Sequence, residues 1–327
     1  MRELSAEREM SANAGAIARR GYALAMIAGV PLVVGLMLAP YVFNLLIWIG
    51  RTRVGCEALR GVEFESVTTR CVLTFMLFLI WPALRVAGGG KTRIKNLFSG
   101  TRRFKRMALG VGTGVASMLI LPLLGYVQGV FLPVFDIGSG FLLEGLLVLI
   151  LGLGIAFLEE LIFRGILFDL ISRMTGLAVG VALAAAFFSF SHFLNPIKPS
   201  GVVYGHWYSG LQLFGMAIRS FNLTNIHIFP YCATLFFIGA SLCLVFNIER
   251  NLYLIAGIHA GWIWVLKMLG SVLQWNPEHS SRLFVPGVGL EKSYGALIVA
   301  LLFFMNAVYW WLKRRDEKKD GIDCGYI

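Results

Sequence analysis

Charge is scarce in this chain: of 327 residues only 14% are charged, while 57% are hydrophobic. A soluble protein of this length needs more polar surface to cover one or two cores, so the composition excludes an ordinary soluble domain. Cysteine is sparse too. The five present (Cys56, Cys71, Cys232, Cys243 and Cys324) form no Cys-x-x-Cys and no paired metal spacing. That excludes a thiol redox motif and a zinc ribbon, and the cysteines read as small apolar fillers. Cys324 stands where a prenylation signal would place a cysteine, but Gly325 fits the next, aliphatic position poorly. No internal repeat is apparent.

Long apolar runs are what the chain has. About 17–25 apolar residues cross a hydrocarbon core of ~30 Å. The runs predict spans near 22–49, 70–87, 107–131, 141–170, 176–194, 229–247, 252–272 and 293–312. The expected fold is therefore all-α, a polytopic membrane bundle of about eight transmembrane helices around a buried polar cavity. The net charge of +11 does not point to nucleic acid, because the basic residues flank the spans. They are Arg19 and Arg20; Lys91, Arg93, Lys95, Arg102, Arg103, Lys105 and Arg106; and Lys313, Arg314, Arg315, Lys318 and Lys319. This is a positive-inside distribution, with lipid headgroups as partners. It places both termini and the 88–106 loop in the cytoplasm. Arg51, Arg53, Arg60 and Arg70 run against that placement, although Glu57, Glu63 and Glu65 accompany them.

The polar groups divide the chain. A basic tail (1–20) precedes a transmembrane scaffold (21–140) poor in intramembrane polar residues. Residues 141–272 hold nearly all of those, and 273–327 supply a last span and a basic tail. Within the core, 195–228 carries Asn195-Pro196, Pro199 and several aromatics. It is too long and mixed for a tight turn and reads as an interfacial segment or lid. His206 and His227 within it read as surface histidines. Glu144 and Lys267, toward the outer ends of their spans, reach for the interface.

The sequence Phe157-Leu-Glu159-Glu160-Leu-Ile-Phe-Arg164-Gly165 lies inside an otherwise oily span. Each charge near the bilayer centre costs roughly 2.5–3.5 kcal/mol on insertion scales, so three together call for a function. Glu160 and Arg164, four residues apart, share a helix face and can pair. Glu159 is turned about 100° away and is left without an intrahelical partner, which suits a general base. If spans four and five form a hairpin turning at Met174-Thr175-Gly176, Glu159 and His192 come to nearly the same depth at 1.5 Å per residue. Gly176 and Gly180, with Ala182 and Ala184 to Ala186, give span five a small-residue side for close approach. His259, about eight residues past Asn251, reaches a similar depth within a turn or two. The plainer reading is that the Glu–Arg pair is a packing device and each histidine a satisfied core residue. The common level of Glu159, His192 and His259 favours chemistry.

These residues resemble the motif set of the CAAX-protease and bacteriocin-processing family of intramembrane endopeptidases, also called the ABI domain. The family's Glu-Glu-x-x-x-Arg is Glu159-Glu160-Leu-Ile-Phe-Arg164, and its Phe-x-x-x-His is Phe188-Ser-Phe-Ser-His192. Its third motif, a histidine followed four residues later by Asn or a similar polar residue, is met by His259 but departs at Ile263. The resemblance covers roughly 141–272. It implies an integral protein of a bacterial inner or plasma membrane, with a cavity open to the cytoplasm in which a membrane-associated protein or peptide is cut. By this resemblance Glu159 activates water with His192 assisting, His259 orients the water or stabilises the oxyanion, and Glu160, Arg164 and Phe188 support the site. Ile263 removes the amide that would serve as an oxyanion donor, and Trp262 and Trp264 are the nearby indole N–H groups. A metal-free glutamyl mechanism is expected. The alternative is zinc held by Glu159, His192 and His259, a chemically adequate His₂Glu set.

Other signatures are missing. There is no His-Glu-x-x-His. Gly138-Ser139-Gly140 lacks the first glycine of a rhomboid-type Gly-x-Ser-Gly, and only Asp169 lies near a span, where presenilin-type proteases need aspartates. Two rival functions stand beside the protease. One is a proton-coupled secondary transporter, which predicts symmetric broken spans that the sequence does not show. The other is a catalytically degenerate immunity or assembly partner, which Ile263 keeps open.

Overall fold

The computed structural model describes residues 14–53, 59, 61–88, 90–99, 102–134, 138–192, 205–220, 228–279, 281, 283–284 and 290–319. His227, Cys56 and Cys324 lie outside them. Among the described residues seven helices are long and apolar enough to cross a membrane: Ala14–Thr52 (α1), Phe64–Val86 (α2), Arg103–Val127 (α4), Phe141–Thr175 (α5), Ile228–Glu249 (α8), Tyr253–Ser271 (α9) and Tyr294–Glu317 (α10). Shorter helices are Gly90–Leu97 (α3), Leu177–Ser191 (α6) and Ser209–Ser220 (α7). The protein is an all-α polytopic bundle. The expected span 176–194 is represented among the described residues by α6, whose 15 residues rise about 22 Å, less than the ~30 Å core.

The chain forms two compact units, one from 1–91, 169–180 and 190–222 and the other from 92–168, 181–189 and 223–327. The second unit holds α4 together with the first part of α5 and with α8, α9 and α10.

In the first unit α1 and α2 run antiparallel. Gly35 brings α1 against the backbone of Val72, and Phe43 meets Phe64 edge-on with ring centroids 5.4 Å apart. The described part of 195–228 contains α7, which packs on α1 and α2. Gly210 lies against the Leu36 carbonyl, and Leu213 joins Ala39, Phe64, Val67 and Cys71 in a buried cluster. This stretch is fixed to the scaffold by its apolar face. His206, just before it, is exposed and stacked on Tyr208. The expected turn at Met174-Thr175-Gly176 is present. Gly176 has φ +86°, which favours glycine, and a Cβ on Gly180 would collide with Ser172.

In the second unit α4 and α9 run parallel along a glycine seam. Gly110 and Gly114 lie against the carbonyls of Leu254 and Ile258, while Gly257 and Gly261 lie against those of Met107 and Val111. Where lipid is as apolar as the side chains, such backbone-close packing is a main source of helix association. Antiparallel to α9 runs the first part of α5, with Ala156 buried against Ala256 and Ala260. α8 and α10 pair in parallel, with Trp311 Nε1 donating to Asn247 Oδ1 at 3.2 Å. A two-stranded antiparallel sheet, Phe131–Pro133 with Leu273–Trp275, closes one end.

Candidate active site

Glu159 and Glu160 occupy the last α-helical turn of α5, and Leu161–Phe168 continues as a π-helix before α-helix resumes. A π segment inside an α-helix is unusual and often marks a functional site. Its wider turn brings residues four apart nearly into line, and Arg164 Nη1 donates to Glu160 Oε1 at 2.7 Å with both side chains essentially inaccessible. Arg164 also donates through Nη2 to the Gly239 carbonyl of α8 at 3.4 Å. Its guanidinium lies 4.4 Å over the Phe188 ring of α6. Desolvating two charges is costly, and pairing with further hydrogen bonds offsets it.

Glu160 has a second partner that the sequence reading did not assign. His259 Nδ1 lies 2.8 Å from Glu160 Oε1. An ionised carboxylate only accepts, so the network assigns the Nδ1 proton to His259, donated to Glu160. The other ring nitrogen, Nε2, is then directed at Glu159, whose Oε2 stands 3.8 Å away. Phe188 packs edge-on to the His259 ring with centroids 6.0 Å apart, so it touches both Arg164 and His259. The neighbouring carboxylates thus have different surroundings. Glu160 is fully buried between a guanidinium and an imidazole, whereas the Glu159 side chain is 25% exposed; Oε2 of each has no hydrogen-bond partner among the described residues.

The departure at Ile263 has a packing explanation. Its side chain fills the notch left by Gly152 of α5, with Cγ2 3.4 Å from where a glycine Cβ would stand. Neither nearby indole is spare. Trp262 Nε1 donates to Ser117 Oγ at 2.9 Å and Trp264 Nε1 to the Gly145 carbonyl at 2.8 Å. An indole has one donor, so both serve helix–helix contacts.

Glu159, Glu160, Arg164, Phe188 and His259 all fall in the second unit. His192 stands in the turn that ends α6, its Nδ1 3.4 Å from Ser191 Oγ, on a stretch that belongs to the first unit. Glu144 and Lys267 are exposed near helix ends. Zinc would need the His₂Glu set; with His259 Nδ1 bonded to Glu160, Nε2, the nitrogen facing Glu159, is the one that could bind it, since a ligating histidine commonly donates its other N–H to a carboxylate.

Residues 141–265 match the model of a family described as Rce1-like, type II CAAX prenyl endopeptidase. This is the CAAX-protease family that the motifs resemble, and the match covers the segment carrying all three. No curated protein and no solved structure gives a significant match to the chain.

Proposed function

We propose that the chain is an intramembrane endopeptidase that hydrolyses a peptide bond of a membrane-associated protein or peptide, of the CAAX-processing kind named by the matching family. The observation that carries this reading is the chain Arg164–Glu160–His259, which leaves His259 Nε2 3.8 Å from Glu159 Oε2. That gap is too long for a direct hydrogen bond and suits a water held by both groups. Glu160, tied to Arg164, fixes the imidazole with its proton on Nδ1, so Nε2 accepts one hydrogen of the water and orients it. Glu159 takes the other proton as general base, and the water oxygen attacks the scissile carbonyl carbon, with His192 assisting.

Glu159 then passes its proton to the leaving amide nitrogen as the C–N bond breaks. The water oxygen remains on the new carboxyl group. Leader-peptide or sorting-signal processing would use the same chemistry on another tail.

The test uses the full chain in nanodiscs with a farnesylated peptide ending in cysteine and three further residues. Release of the terminal tripeptide is followed by mass spectrometry. Glu159→Gln should lower the rate by about 10²–10⁴-fold, the usual worth of a general base, and chelators should leave the wild-type rate unchanged. Activity lost to chelation and restored by zinc would replace this mechanism with a metal-dependent one. Unchanged cleavage by folded Glu159→Gln would remove Glu159 from catalysis. Loss of proton-coupled uptake in that variant, with no cleavage by wild type, would favour a transporter. A folded wild type with neither activity would favour the degenerate partner.

A further inference from the structure

Outside the ionic cluster, the second unit has a groove of about 180 Å³ between α4 and α10. Its walls include Leu109 and Thr113 of α4 and Asn306 and Trp310 of α10, and its floor includes Leu254 and Ile258 of α9. These floor residues present a different face of α9 from His259, since successive helical residues are turned by about 100°. The groove follows from the helix packing. Trp262 bridges α4 and α10, bonded to Ser117 and packed on Phe303 at 5.1 Å, and Gly295 lies against Leu121. Beyond these contacts the two helices part, and α9 is held back against α4 by the glycine seam.

The groove is apolar, opens outward and ends among cations. Leu109 is 63% exposed. Thr113 Oγ1 is satisfied within its own helix by the Leu109 carbonyl at 2.9 Å. Asn306 is exposed on a helix whose neighbours are almost all apolar, and an amide facing hydrocarbon needs a hydrogen-bond partner. At helical spacing the stripe Thr113, Leu109 continues to Lys105 and Arg106, and the stripe Asn306, Trp310 continues to Lys313 and Arg314. Both stripes end at the same end of the unit, where Arg106 Nη1 pairs with Glu249 at 2.8 Å and Trp311 with Asn247. Arg314 Nη1 likewise lies 3.6 Å from Glu317 Oε2, whereas Lys105 and Lys313 are in no ion pair among the described residues.

We infer that this groove binds one acyl chain of an anionic membrane phospholipid, with its phosphate held by Lys105 and Lys313 and an ester carbonyl accepting from Asn306. The apolar walls match the chain and the amide matches the ester, which lies below the phosphate. The cations at the mouth select a headgroup without a compensating ammonium. The site is separate from the proposed peptidase chemistry, and its test does not need cleavage.

Native mass spectrometry of the full, delipidated chain titrated with phosphatidylglycerol or phosphatidylcholine of identical acyl chains reads this directly. One phosphatidylglycerol should be retained at concentrations about tenfold below those needed for phosphatidylcholine, as expected of several cations at a membrane surface. Lys105→Gln with Lys313→Gln should make the two lipids bind alike. Thr113→Phe, at an exposed position, should fill the groove and abolish the tight site while melting temperature and monodispersity stay as in wild type. Asn306→Leu, also exposed, should weaken it several-fold and serves if the phenylalanine variant fails to fold. Equal binding of both lipids by wild type would overturn the assignment. So would tight binding unaffected by the groove variants, or stoichiometric displacement of the lipid by a farnesylated cysteine peptide, which would give the groove to substrate.

Discussion

At the scale of single residues, Glu159 and Glu160 are neighbours in sequence with opposite circumstances. The pairing of Glu160 with Arg164 was legible from a spacing of four, because a helix makes such residues adjacent. The bond from His259 to Glu160 was not, since the two are 99 residues apart and no periodicity links them. Depth arithmetic could bring the histidine to the right level but could not say which carboxylate it would meet. Removing one partner of a buried ion pair leaves an uncompensated charge. Arg164→Met should therefore lower stability by about 3–5 kcal/mol, read as a reduced melting temperature in detergent. Trp264→Phe loses one hydrogen bond to the Gly145 carbonyl. It should cost about 1 kcal/mol and leave kcat unchanged, whereas a large fall in kcat would make that indole an oxyanion donor. Ile263 needs no polar replacement if its role is to fill the Gly152 notch, so Ile263→Asn should lower stability without raising the cleavage rate.

Elements were legible where hydropathy is long and continuous. The seven long helices coincide with apolar runs, because crossing hydrocarbon demands both length and an internally bonded backbone. Element ends and pairings were not. The apolar run 176–194 continues beyond Ser191, where α6 stops, since hydropathy does not register where a helix ends. α7 was hidden in a mixed segment, its helix disclosed only by the Leu213 face packed on α1 and α2. The pairs Gly110/Gly114 and Gly257/Gly261 are visible in the sequence, but spaced glycines do not name their partner. The seam predicts that α4 and α9 tolerate no side chain there. Gly114→Val would drive carbon into the Ile258 carbonyl and should destabilise by at least the ~1–3 kcal/mol of ordinary overpacking. Gly112→Val, where nothing lies within 4 Å, should be silent in the same thermal melt. Because His259 rides on the seam, the first variant should also reduce cleavage in whatever fraction remains folded.

At the scale of the whole molecule, the basic segments bear on orientation. Within the second unit the starts of α4 and the ends of α8 and α10 share one end, joined by the Arg106–Glu249 pair and the Trp311–Asn247 bond. That end carries Arg102, Arg103, Lys105, Arg106, Lys313, Arg314 and Arg315. We propose, on the positive-inside rule, that this end faces the cytoplasm. Single cysteines replacing Lys105 and Lys313, in a chain whose native cysteines are changed to serine, should both resist an impermeant maleimide in intact cells. Both should react once the membrane is opened, and labelling from outside would reverse the orientation. By composition α4 looks like scaffold, yet it is packed against the helix carrying His259. The most direct test of the central claim maps the termini of all membrane proteins in cells carrying wild type, Glu159→Gln or Glu144→Gln, with equal amounts of folded protein confirmed in each. The account predicts a set of new carboxyl termini present with wild type and Glu144→Gln and absent with Glu159→Gln; the same termini in all three would contradict it.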